Sequence, residues 1–202
     1  MAVALEEVRT ALSADSGYAP AYNLRGLIHS YLREFRAADE SFRQALVLAP
    51  GDPEVSNSYG QFLCQSGRSS EAFEYFATAI KNPLYQTPEN AYVNAGVCAL
   101  EIGDLNAAED YLLKATRRER GEAAALLPLA KVQYRRGRFE DTRRSIEQLH
   151  RLVEPTAESL WLAVRVERHL GDRIAETSLT AQLRRRFPDS REAQDMKRGK
   201  YD

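Results

Sequence analysis

Four glycines recur at nearly one interval: Gly67, Gly103, Gly137 and Gly171 are 36, 34 and 34 residues apart. Each follows a stretch of helical apolar periodicity and precedes a second one, so the chain reads as a series of helix-turn-helix units. Seven residues upstream of the first two lie Gly60 and Gly96, joined one period earlier by Gly26. Downstream, alanines recur where two helices must pack closely, first Ala38, Ala72 and Ala108, then Ala45, Ala79 and Ala115. Between them stand Phe42, Phe76, Leu112 and Ile146, while Pro50 and Pro188 close the first and last units. A periodic chain of this kind buries its apolar faces by stacking each unit on the next, which makes it all-α.

The pattern resembles the tetratricopeptide repeat, a 34-residue helix-turn-helix in which a small residue of the first helix faces an alanine of the second. The resemblance implies a right-handed superhelical solenoid, a single array over residues 1–202. Its repeats fall at 19–52, 53–88, 89–122, 123–156 and 157–190. Within a repeat, Gly60 lets the two helices approach closely and Phe76 faces the groove shared with the neighbour. Gly67 ends the first helix in the left-handed conformation. Residues 1–18 read as the second helix of a repeat whose first helix is missing, because Ala4, Val8 and Ala11 are in phase with Ala38, Phe42 and Ala45. Residues 191–202 read as a capping segment over the last apolar face. Fidelity decays along the chain: the small position runs Gly26, Gly60, Gly96, Ala130, Val164, and its alanine partner becomes Thr142 and Glu176. Pro128 predicts a kink or a late start in the fourth repeat. The two extra residues of the second repeat fall in the proline-flanked loop 82–88.

Charge and motifs exclude several classes of function. The net charge is −1; residues 1–100 carry 7 basic and 11 acidic groups and the remainder 21 and 18, too small a basic excess to indicate a nucleic-acid partner. The longest uncharged apolar stretch, 123–130, is far below the ~18 residues a membrane span requires. Met1 to Glu7 has no basic region leading into an apolar run, hence no export signal. His29, His150 and His169 lie in different repeats without metal-ligand spacing, so no metal or cofactor is expected. No phosphate-binding glycine loop or nucleophile motif occurs, and the carboxylates are spaced as helix-surface charges. The chain reads as a non-enzyme.

What remains is a binding surface. The first helix of each repeat supplies the concave face: Asn57, Gln61, Cys64 and Gln65 in the second; Asn90, Val93, Val97 and Glu101 in the third; Trp161, Arg165 and Arg168 in the fifth. Solenoids use this face for partners. Asn57 and Gln61, four apart, project the same way and suit a peptide backbone, and Trp161 has the residue type of an anchor. Cys64 and Cys98 occupy adjacent first helices. They read either as two small buried hydrophobes or as a clip between repeats, which needs Cα atoms within ~6.8 Å and an oxidising compartment.

Several segments resemble the type IV pilus biogenesis proteins of the PilW/PilF family, tetratricopeptide outer-membrane lipoproteins. Asn57-Ser58-Tyr59-Gly60-Gln61-Phe62-Leu63-Cys64 is similar to that family's N-N-Y-G-x-F-L-C stretch. Asn82-Pro83-Leu84-Tyr85, then Asn94 to Leu100 with Gly103-Asp104, follow in order. Leu160 to Arg165, Gly171-Asp172-Arg173 and Gln182 to Ser190 complete the likeness over nearly the whole chain. Two departures stand out. Ser58 replaces a second asparagine, and the family's signal peptide, lipidated cysteine and first helix have no counterpart, so the chain reads as N-terminally truncated. The resemblance implies a pilotin-like scaffold that helps the outer-membrane secretin assemble or stabilises pili. Its partner would be that secretin or another pilus assembly protein. It would meet the membrane only through a lipid anchor absent from this chain. It would work at the periplasmic face of the outer membrane, where Cys64 and Cys98 can oxidise, which favours the clip. Its partner surface would comprise Asn57, Gln61, Gln65, Val97, Glu101, Trp161, Arg165 and Arg168. The rival reading is a cytosolic tetratricopeptide adaptor that grips acidic tails with Lys131, Arg135, Arg165 and Arg168.

Overall fold

Helix starts in this chain are marked by side chains that serve the orphan N–H groups of a first turn. Pro53 and Pro88 each occupy a first helical position, where a missing N–H costs nothing. Asp52 accepts from Val55 N at 2.9 Å, Asp172 from Ala175 N at 3.0 Å and Ser190 from Ala193 N at 3.1 Å, while Thr156 and Ser159 form a reciprocal capping box. Helix stops follow an equally local rule. Gly67 takes φ +81, its N–H reaching Cys64 O at 3.0 Å and that of Arg68 reaching Leu63 O at 2.8 Å, the closure of a Schellman motif.

The structure, a computed structural model, describes residues 2–118 and 121–201. Residues 1, 119, 120 and 202, which belong to the leading segment, the end of the third repeat and the cap, lie outside the described residues. Among the described residues there are twelve α-helices and no strand: α1 (Ala2–Ala14), α2 (Ala19–Tyr31), α3 (Phe35–Leu48), α4 (Pro53–Gln65), α5 (Ser69–Lys81), α6 (Pro88–Glu101), α7 (Leu105–Thr116), α8 (Glu122–Arg135), α9 (Phe139–Leu152), α10 (Ala157–Leu170), α11 (Arg173–Arg186) and α12 (Arg191–Lys197). Packing divides the chain into two compact blocks, Met1–Asp104 and Leu105–Asp202.

In the N-terminal block the first helices α2, α4 and α6 lie side by side, each backed by its second helix or the one before it. α1 packs on α2 through Val8, which is buried against Ala21 and Ile28 with Ala4 and Ala11 beside it. Gly26 and Gly60 are the contact points of their helix pairs, because a Cβ on either would stand 2.8 Å from the ring of Phe42 or Phe76. Those two rings are fully buried, and Phe42 also meets Tyr59 and Phe62 of the next repeat at 5.5 and 5.4 Å. Full burial of one such ring contributes about 1.5–3 kcal/mol. Asp39 ties the same junction electrostatically. It accepts from Tyr59 Oη at 2.8 Å and Arg68 Nη1 at 2.7 Å and pairs with Arg43. Burial alone would raise its pKa, but these hydrogen bonds and charges together hold it below the ordinary carboxylate value. In the loop 82–87, Tyr85 is buried against Ala79 and Ala91, and burial pushes its phenol up to about 12.

The C-terminal block repeats this plan with altered parts. α8 and α10 lie side by side, α9 and α11 back them, and α12 covers the end of α10. Ala193 and Met196 of α12 are buried with Leu160, Val164 and Leu183. The late start expected in the fourth repeat is not found, since α8 begins at Glu122 and runs through Pro128. The proline deprives only the carbonyl of Ala124 of its helical donor, and Ala124 is exposed. Thr142, fully buried where earlier repeats have alanine, donates its hydroxyl to Arg138 O at 2.8 Å and is thereby satisfied. Junctions again carry an arginine-carboxylate pair, Arg138 with Glu109 and, with the signs exchanged between repeats, Arg143 with Asp172 at 3.8 Å.

Candidate partner-binding surfaces

Along α4, residues at i, i+4 and i+8 share one face, which brings Asn57, Gln61 and Gln65 into a row. Only the last two are exposed. Asn57 is 8% exposed, and its amide oxygen accepts from Asn94 Nδ2 of α6 at 3.0 Å, so it is an inter-repeat packing residue rather than an open amide. Gln65 Oε1 accepts from Ser30 Oγ of α2 at 3.2 Å. On α6, Val97 is half-buried and Glu101 exposed. The disulfide Cys64–Cys98 joins α4 to α6 with Cα atoms 5.8 Å apart. Glu101 Oε2 lies 3.6 Å from Cys64 Sγ, but a bonded sulfur has no proton to donate, so this is a contact and not a hydrogen bond.

Sequence reasoning missed the exposed apolar stripe of α2, formed by Leu24, Leu27 and Tyr31. The signal was present, because Leu27, Gln61 and Val97 hold the ninth position of their repeats and Tyr31, Gln65 and Glu101 the thirteenth. Those two columns are where side chains leave the helix pair. The fifth position, which holds Asn57 and Trp161, points into the contact between neighbouring helices instead.

In the C-terminal block, α8, α10 and α12 bound a cleft of about 880 Å³. The same columns now carry cations and rings: Lys131 and Arg165 at the ninth position, Arg135 and His169 at the thirteenth. Trp161 is 9% exposed and belongs to the core under α12, with one edge lining the cleft. Phe139 stacks on His169 at 4.2 Å, and Tyr134 Oη is 3.0 Å from His169 Nε2. The basic side chains are engaged. Lys131 pairs with Glu158 at 2.5 Å, Arg168 donates to Glu176 at 3.1 Å, and Arg165 lies over Tyr134 at 4.5 Å while its Nε donates to Tyr201 O at 2.8 Å. Trp161, Arg165 and Arg168 are therefore brought together on one face of α10, where all three meet Tyr201. Among the described residues no group of three or more His, Cys, Asp or Glu side chains is placed to hold a metal ion, and no helix is long and apolar enough to cross a membrane.

Family models of the tetratricopeptide repeat match residues 23–91 and 89–121. The crystal structure of PilW, described as a widely conserved type IV pilus biogenesis factor, is 32% identical, with a TM-score of 0.87 over 95% of this chain and 88% of that one. The chain belongs to the PilW/PilF family. Within that family, the type IV pilus assembly protein PilF of Pseudomonas aeruginosa is 28% identical over 93% of this chain and 75% of its own length. A solved structure of P. aeruginosa PilF superposes with a TM-score of 0.81 over 95% of this chain and 86% of that one. The fold of this PilW/PilF member is accordingly an all-α tetratricopeptide-repeat solenoid.

Proposed function

We propose that this chain is a protein-binding scaffold of type IV pilus biogenesis that acts, as a pilotin does, in assembling the outer-membrane secretin. The observation that carries the reading is the likeness to PilW at 32% identity across 95% of the chain. Its partner surfaces are the Gln61, Gln65, Val97 and Glu101 face of the N-terminal block and the Arg165 and Arg168 face of the C-terminal block. The Cys64–Cys98 bond supports an oxidising compartment such as the periplasm, where structural disulfides persist, and the place at the outer membrane follows from the pilotin reading. The engagement of Lys131, Arg165 and Arg168 within the chain speaks against a basic clamp for acidic tails.

The test uses the exposed Gln61, Gln65 and Arg168 with the half-buried Arg165, because alanine at Asn57 or Trp161 removes more packing. In a strain lacking the wild-type gene, a chain carrying Gln61→Ala, Gln65→Ala, Arg165→Ala and Arg168→Ala is compared with wild type for heat-stable secretin multimers and surface pili. Both are expected to fall while the purified variant keeps its helical circular dichroism. Undiminished multimers and pili from the folded variant would remove the surface assignment. Undiminished multimers and pili in the strain with no copy at all would remove the function.

A further inference from the structure

Beyond α12 the chain doubles back on itself. Gly199 turns at φ +71, Lys200 N donates to Asp195 O at 2.9 Å, and Tyr201 is laid on α10. Three residues of the fifth repeat, at i, i+4 and i+7, receive it together. The Trp161 and Tyr201 rings are 5.1 Å apart, the Arg168 guanidinium carbon is 3.9 Å from the Tyr201 ring centroid, and Arg165 Nε donates to the Tyr201 carbonyl at 2.8 Å. These are the contacts by which a helical groove holds a peptide: an aromatic wall, a cation over a ring and a fixed donor to a main-chain carbonyl. They read only one aromatic side chain and one backbone carbonyl, features that a segment of another protein can supply equally well. Trp161 and Arg165 also line the cleft, which continues along Tyr134, Phe139 and His169 and gives a longer segment further aromatic wall.

We propose that residues 198–201 are an intramolecular plug, and that the α10 face beneath them takes an extended partner segment presenting an aromatic side chain and its own backbone carbonyl. This rests on the reading above for there being a partner, and adds both the chemistry of its segment and a means of regulation. A tethered segment competes at an effective concentration in the millimolar range. A partner must therefore exceed that competition or engage a second surface before it displaces Tyr201.

Trp161 is the only tryptophan of the chain, so its fluorescence reports this face alone. The experiment compares the full chain, a chain stopped after Lys197, and a full-length Tyr201→Ala chain. Acrylamide quenching of Trp161 is expected to rise roughly twofold in both variants, because the Tyr201 ring packed at a tilt against it no longer shields the indole. An acetylated and amidated peptide of residues 198–201, at roughly millimolar concentration, is expected to restore the shielding in the shortened chain and to leave the full chain unchanged. The same peptide with alanine in place of tyrosine should do neither. Should the shortened chain lose its helical circular dichroism, the Tyr201→Ala chain decides on quenching alone. Unchanged quenching in Tyr201→Ala, or equal responses of the folded shortened chain to the two peptides, would overturn the proposal. Failure of the pilus reading looks different, since secretin multimers in cells would then be indifferent to the chain while purified Trp161 behaved as expected.

Discussion

Arg33 holds φ +60 at the turn position that the later repeats give to Gly67, Gly103, Gly137 and Gly171. Its N–H reaches Ser30 O at 3.0 Å and that of Glu34 reaches His29 O at 2.9 Å, so the turn closes as the glycine turns do, with an L side chain in a conformation that disfavours it. Glycine there relieves the strain at some cost in unfolded-chain entropy. Arg33→Gly is expected to stabilise the protein by about 0.5–1 kcal/mol, whereas Gly67→Ala, the reverse change, should cost about 1 kcal/mol. Urea unfolding of the two variants checks both signs, and a destabilised Arg33→Gly would show that the arginine side chain supplies more than the turn loses. The glycine series was legible in the sequence, but its first member was hidden because hydrogen bonds, not residue identity, define the turn. The burial of Asn57 and of most of Trp161 was hidden for a related reason. Their spacing correctly put them on the first helices, yet exposure depends on the neighbouring helix, which no local pattern contains.

At the scale of the helix pair, two positions trade volume. Where the first helix has Gly26 or Gly60 the second has Phe42 or Phe76; Gly96 and Ala130 correspond to Leu112 and Ile146, and Val164 to the smaller Thr180. Part of what looks like decay of the repeat is compensation at these two positions, the changes to Thr142 and Glu176 lying outside it, and Val164, Ile146 and Ala130 are as buried as their bulkier or smaller counterparts. Gly60→Ala tests this directly. Alanine is the better helix former by about 1 kcal/mol. Its Cβ, however, would lie 2.8 Å from Phe76 Cε1 and 3.1 Å from Ala72 O, and overpacking of that kind costs typically 1–3 kcal/mol. On balance the single change is expected to destabilise, by up to roughly 2 kcal/mol. Adding Phe76→Leu should make the double variant more stable than the sum of the single effects by at least about 0.5 kcal/mol. Strict additivity in denaturant unfolding would show that the two positions do not share one volume.

For the molecule as a whole, periodicity made the array legible, since helix-turn-helix units at a fixed interval have few other ways to bury their apolar faces. It could not show where cohesion is concentrated, because that depends on contacts between repeats such as the Asp39 cluster and the Cys64–Cys98 bond. In a repeat array stability is close to a sum of units and nearest-neighbour interfaces, so a covalent link acts on the interface it spans. This one joins α4 to α6 across a separation of 34 residues, entirely within the N-terminal block. Closing a loop of that size in the unfolded chain stabilises by roughly 3–4 kcal/mol. Reduction should therefore strip hydrogen-exchange protection from α4 and α6 to about that extent while α8 to α11 keep theirs. Measured on oxidised and phosphine-reduced protein, an equal loss of protection in both blocks would instead mean that the chain unfolds as one cooperative unit. Loss confined to the N-terminal block would make its α4–α6 surface the part whose integrity depends on the redox state of the compartment, with the α10 face insensitive to it.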